Sequence, residues 1–417
     1  MGGIHRERPG ADAIAACTGE PAVDVGDGIW MSPGLSNSYL LETDDGRVVL
    51  NTGMGFEGPL HARAYDGIGS GPLRAIILTQ GHYDHVGGVD VLREDGTDVI
   101  AHASWATWRN DNERLEEFRV RNAAFAWMDA ILAAMAHAKA VGVGAVAQAR
   151  PEPSLTFDDR LELAIGGRRL ELLSVPGGET TDALAVWLPD SRTVFTGNMT
   201  GPLFGHVPNL VTMRGDRYRD ALDHVASLER ILELGPARII TGHFNPIDGA
   251  DRIAEELTAM RDAMQSVHDR TVDGMNAGND VHTLMRTITV PDHLDVGEGY
   301  GKTSWNVRAI WENYAGWFHH RSTTELYNVS PTAVATDVVA AAGASALLAA
   351  ARTHLDAGRP VEALQLSDLV IAGGGDDVDA DARTIAAAAT SALLEGSTNF
   401  WETAWLRHSL ASLQATG

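Results

Sequence analysis

At 417 residues, 44% of them hydrophobic, the chain exceeds one ordinary core and is expected to fold as two or three domains. Its formal charge of −24 excludes a nucleic-acid binder, which needs clustered Lys and Arg. Its apolar stretches fall short of the roughly 18 residues of a membrane span. Cys17 is the only cysteine, so an internal disulfide and a thiolate zinc site are excluded, and any metal must be held by His and carboxylate.

Taken in order, residues 1–25 read as a polar, extended arm without the apolar core of a signal peptide, so a cytoplasmic location is the expectation. Strands at 38–42 and 47–50 flank the turn Asp44-Asp45-Gly46. The run Ala75-Ile76-Ile77-Leu78 predicts a buried strand that gives way to Gln80, His82, Asp84 and His85. Gly87-Gly88 closes that loop and a helix begins at Val89. A strand end holds loop side chains in place, and two imidazoles beside a carboxylate suit zinc, iron or manganese.

A strand at 98–102 ends on His102, read as structural, and residues 105–140 are helical by pattern, an insertion able to wall a pocket. After a loop at 142–154, strand patterns return over 155–197. A helix over 216–234 and a strand at 237–240 lead to His243. Two rounds of strands with interleaved helices predict a two-sheet sandwich with helices outside and polar loops at one edge. Beyond 250 the pattern is almost wholly helical, with runs at 251–274, 305–318, 344–356 and 360–370 and breaks at Gly373-Gly374-Gly375 and Gly396.

The loop Gln80-Gly81-His82-Tyr83-Asp84-His85, followed by Gly87-Gly88, resembles the His-x-His-x-Asp-His signature of the metallo-β-lactamase superfamily, with Gln80 in place of the first His. Asn51 stands where that superfamily usually has an Asp supporting the loop. Later segments resemble its alkylsulfatases, zinc enzymes that hydrolyse sulfate esters. Pro176-Gly177-Gly178-Glu179 carries the alkylsulfatase Glu, where other branches have His. The stretch 208–215 is similar to the family's Asn-Leu-Tyr-Thr-Leu-Arg-Gly, matching Asn209 and Arg214 to its sulfate-binding pair. Gly242-His243-Phe244-Asn245-Pro246 is similar to Gly/Ser-His-His-Trp-Pro. Residues 261–318, with Gly299-Tyr300-Gly301, look like the all-helical dimerisation domain. The family's sterol-carrier-like domain has no counterpart in these residues, a weak hint of a smaller or more polar substrate.

The resemblance implies an α/β fold: a metallo-β-lactamase αββα sandwich over 1–250, then an all-α dimerisation domain over 251–417, forming a homodimer. It implies zinc, one or two ions, with another divalent metal as the alternative. One site would use Asp84, His85 and His243. The other would use Gln80, His82 and Glu179, with Asn198 at the bridging position. Because Gln80 and Asn198 are neutral, the first of these sites is expected to bind well and the second weakly or not at all. Asp182 reads either as a surface or capping residue or as an extra carboxylate. Arg214 would receive a small anionic substrate, a sulfate ester in this reading, through its two-pronged guanidinium. His206 is a candidate leaving-group acid or a spare histidine, and Tyr83 contacts substrate or packs. Two other readings stay open: hydrolysis of a lactone, amide, phosphate or thioester by a rebuilt single-metal site, and a non-catalytic dimeric binding protein.

Overall fold

The computed structural model describes residues 3–374 and 376–415; Gly375, one of the expected breaks, lies outside them. Alternating apolar residues build two sheets. The first runs in chain order through β1 (Val23–Gly26), β2 (Ile29–Ser32), β3 (Ser38–Thr43), β4 (Gly46–Leu50), β5 (Leu73–Ile77), β6 (Asp98–His102) and β7 (Leu155–Phe157). The second has the order β13 (Ile247–Asp248), β12 (Arg238–Thr241), β11 (Thr193–Gly197), β10 (Leu184–Leu188), β9 (Arg168–Ser174), β8 (Arg160–Ile165). Leu41, Val48, Ile77 and Ile100 of the first pack with Leu172, Val186, Phe195 and Ile240 of the second. This apolar interface is the main stabilising term, at about 25 cal/mol per Å² buried.

The outer faces are covered by helices. α1 (Gly58–Ala64), α2 (Tyr83–Val86), α3 (Val89–Leu92), α4 (Trp105–Arg114) and α5 (Glu116–Ala140) interrupt the first sheet. α6 (Ala221–Leu234) lies between β11 and β12 of the second, and α7 (Ala250–Asn276), α8 (Val281–Thr287) and α9 (Thr303–Ala315) follow it. Val225, Met264, Val267, Val307 and Ile310 of α6, α7 and α9 share one core. The chain divides into two compact units, 1–314 and 315–417. Helices α7 to α9 pack within the first unit down to Tyr314. The second unit consists of α10 (Ala335–Ala342), α11 (Ala344–Asp356), α12 (Pro360–Gly373), α13 (Asp376–Gly396) and α14 (Phe400–Ala415), built around Val339, Leu348, Val370 and Ile385. No single helix among the described residues is long and apolar enough to cross a membrane.

Two local expectations change. The N-terminal arm is not a free extended segment: Ile4 and Cys17 are buried, and the Ile4 amide donates to Glu256. The helix expected from 216 begins at Ala221, because the Asp220 carboxylate caps the amides of Leu222 and Asp223. Residues 216–219 thereby stay outside the helix.

Candidate active site

The site lies where four strands end. β5 runs into α2, which carries Asp84 and His85 on consecutive residues. β11 and β12 are parallel neighbours in register, Gly197 opposite Thr241, so Asn198 and His243 emerge side by side. A Cβ on Gly242 would sit 2.2 Å from Asn198 Oδ1, so glycine is needed for this approach. Glu179 comes from the turn between β9 and β10.

Asn51, at the end of β4, fixes the start of the metal loop. Its backbone is left-handed (φ 57°), a conformation Asn tolerates, and its Oδ1 accepts from the Thr79 amide at 3.0 Å and the Thr79 hydroxyl at 3.1 Å. The neutral residue thus supports the loop by hydrogen bonds alone.

Asp84, His85 and His243 converge, with one ligand atom from each lying within 4.8 Å of the others. The Asn198 amide lies 3.2 Å from His85 Nε2 and 3.1 Å from His243 Nε2, against both rings at once. Burial holds the His85 ring well below the usual imidazole range and takes His243 to about 4. Both rings are therefore neutral, the form that binds metal.

The other predicted group is differently engaged. His82 lies 3.2 Å from Glu179 through Nδ1, and the Gln80 amide is 2.8 Å from the same nitrogen. Its Nε2, however, accepts from Arg214 Nη2 at 2.8 Å. Glu179 Oε1 takes Arg219 at 2.8 Å and Arg214 at 3.4 Å. Arg214 also holds Asp216 through Nε at 2.6 Å. Burial alone would raise the Asp216 pKa, but Arg214, with His82 and Arg219, outweighs it and keeps the carboxyl well below its usual range.

These groups floor a cavity of about 220 Å³. Its wall is α5, where Val120, Ala123, Ala124, Trp127, Met128 and Ile131 recur at helical spacing and line the space. Tyr83 lines it as well, and so does Tyr300.

Not every predicted residue arrives there. His206 is absent from the lining: its Nδ1 accepts the Gly299 amide at 2.8 Å, and burial lowers its pKa to about 4. Its imidazole is thus turned to the Gly299 amide rather than to the cavity. Asn209 is buried behind Arg219, to which its backbone carbonyl offers an acceptor at 2.8 Å, and it too is absent from the lining. Asp182 is not a surface residue but 1% exposed, with neither carboxylate oxygen hydrogen-bonded. Arg119, Asp216 and Arg219 were not singled out from sequence as site residues. Asp216 had been counted into a helix, although its place two residues after Arg214 was a usable signal.

Comparison with known proteins matches residues 31–243 to a family model described as the metallo-beta-lactamase superfamily and residues 281–414 to one described as alkyl sulfatase dimerisation. A linear primary-alkylsulfatase from a Pseudomonas strain is 27% identical over 297 residues, covering 67% of this chain and 56% of that protein. An (R)-specific secondary-alkylsulfatase from Pseudomonas sp. is 28% identical over 238 residues, covering 55% of this chain and 35% of that protein. The chain thus spans about half the length, or less, of these curated relatives. The solved structure of a stereoselective inverting sec-alkylsulfatase from Pseudomonas sp. superposes with a TM-score of 0.80 at 20% identity, over 94% of this chain and 66% of that one. At that identity the likeness speaks to the fold.

Proposed function

The chain belongs to the metallo-beta-lactamase superfamily, and from that premise we propose that it is a metal-dependent hydrolase cleaving a sulfate ester of an apolar alcohol to the alcohol and sulfate. The carrying observation is the cavity, which sets an apolar helical wall from α5 against a floor holding Arg214 and the Asp84, His85, His243 cluster. An amphiphile with an anionic head matches that division.

A divalent ion, zinc in this reading, fits Asp84, His85 and His243. Burial keeps both imidazoles neutral, and Asn198 Oδ1 is buried beside them without a hydrogen-bond partner. The group of Gln80, His82 and Glu179 fits a second ion less well, because guanidinium cations lie on His82 Nε2 and Glu179 Oε1, where the first group meets only the neutral Asn198 amide. When bound, the ion supplies activation of water toward hydroxide near neutral pH. The chain's own residues do the rest. Arg214 attracts the anionic head by charge, countering the repulsion of a −24 molecule. The α5 wall holds the alkyl part and excludes water from it.

The test is sulfate release from alkyl sulfates of increasing length by metal-loaded protein. KM is expected to fall by about fourfold per added methylene until the wall is filled. No release at any length, with metal bound, would overturn the reading. Hydrolysis of another bond, such as a lactone, amide, phosphate or thioester, is then the second reading, favoured by the neutral amides at Gln80 and Asn198. A chain that binds no metal at all would point instead to a dimeric binding protein. We also propose that it forms a homodimer through the region matching alkyl sulfatase dimerisation, checked by sedimentation velocity.

A further inference from the structure

Arg119 stands in the first turn of α5 and is only 8% exposed. Its guanidinium carbon lies 5.3 Å from the Trp108 ring centroid, and Trp108 meets His82 edge-on at 5.2 Å. Nη1 donates to Asn112 Oδ1. Nε lies 3.3 Å from Asp216 Oδ1 without hydrogen-bond alignment. Nη2 has no acceptor among the described residues. The side chain lines the cavity, as does that of Arg214.

Asp216 therefore stands between two guanidiniums, Arg214 on Oδ2 and Arg119 on Oδ1. Arg119 and Arg214 thus bring two positive charges to the cavity lining, on either side of one carboxylate. Nη2 is not among the fully buried donors and is open to an acceptor arriving from the cavity. A carboxylate offers two oxygens in one plane, whereas a sulfate monoester offers three spread over a tetrahedral face and can reach two separate guanidiniums at once.

We propose that Arg119 is a specificity-determining contact for the substrate's anionic head, placed across Asp216 from Arg214, and that it makes the site prefer a tetrahedral oxyanion to a carboxylate on the same alkyl chain. The inference rests on the sulfate-ester reading of this cavity, but its test does not depend on turnover. Decyl sulfate and decanoate binding to the metal-loaded full chain would be measured by calorimetry for the wild type, Arg119→Met and Arg119→Lys. Arg119→Met is expected to weaken decyl sulfate by about 10- to 100-fold and decanoate by less than about threefold. Arg119→Lys keeps the charge facing Asp216 and should recover part of the sulfate affinity. Should Arg119→Met fail to fold, Arg119→Lys decides alone, again weakening sulfate more than carboxylate. Equal losses for both ligands, as a merely structural arginine would give, or no loss at all, would overturn the proposal. A wild type that binds decyl sulfate selectively yet releases no sulfate would defeat the hydrolase reading while leaving this one standing.

Discussion

Arg214 donates through Nη2 to Nε2 of His82 at 2.8 Å. A guanidinium has only donors, so Nε2 must be the lone-pair nitrogen and the ring proton sits on Nδ1, toward Glu179 Oε1 at 3.2 Å. The Gln80 amide, 2.8 Å from Nδ1, must then present its oxygen. This tautomer withholds Nδ1 from a metal. Elemental analysis is expected to find about one divalent ion per chain. His85→Ala should lose it, while Glu179→Ala should keep it; two ions in the wild type would contradict this assignment.

The Arg214–Asp216 pair is buried, and removing one partner strands the other. Arg214→Met should cost about 3–5 kcal/mol of stability. The double variant Arg214→Met with Asp216→Asn should recover a large part of that loss, read as the interaction energy of a double-mutant cycle in urea. Additive losses would mean that the pair is not coupled. Anion affinity should stay low in both variants.

Asn51 combines a left-handed backbone with two hydrogen bonds to Thr79. Asn51→Ala loses both bonds and adds strain, an expected cost of about 2–4 kcal/mol. Asn51→Gly loses the bonds but relieves the strain, so it should be milder by about 1 kcal/mol. Since Thr79 directly precedes Gln80, metal affinity should fall in both. Denaturant midpoints and metal titration separate the two effects.

His224 is buried behind Gly177 and Gly178, and burial, with Arg219 adding to it, pushes its pKa down to about 3. The unfolded chain, near 6.5, binds the proton that the folded chain refuses. This contribution to stability is thus fully present above pH 6.5 and is lost as pH falls from there toward 3, by up to about 1.4 kcal/mol per pH unit. His224→Gln should flatten the stability curve over that window relative to wild type. Urea midpoints between pH 4.5 and 7.5 check it, and an unchanged slope difference would refute it.

The two-sheet sandwich was legible because its strands are short apolar runs that stop abruptly at polar clusters, as at Thr79 and Gly197. The same punctuation exposed Asp84, His85, Glu179 and His243, all in the segments that follow β5, β9 and β12. Arg119 was hidden for the opposite reason. In a helix rich in Ala and charge, one Arg reads as a solvated residue, and only packing against Trp108 and Asp216 removes it from water. His206 misled because its actual partner, the Gly299 amide, lies 93 positions away. Asp220 resets the helix start, an effect visible in the sequence as an Asp ahead of an apolar periodic run but competing there with Asp216.

The floor of the cavity comes from strand ends of two sheets, whereas much of its wall comes from one helix inserted between β6 and β7. The helix that supplies the apolar wall also carries Arg119, so the depth of the cavity and part of its charge are set by one inserted element. Bulkier residues at Ala123 or Ala124 would shorten the space along that wall, and Ala123, one turn from Arg119, would crowd the guanidinium as well.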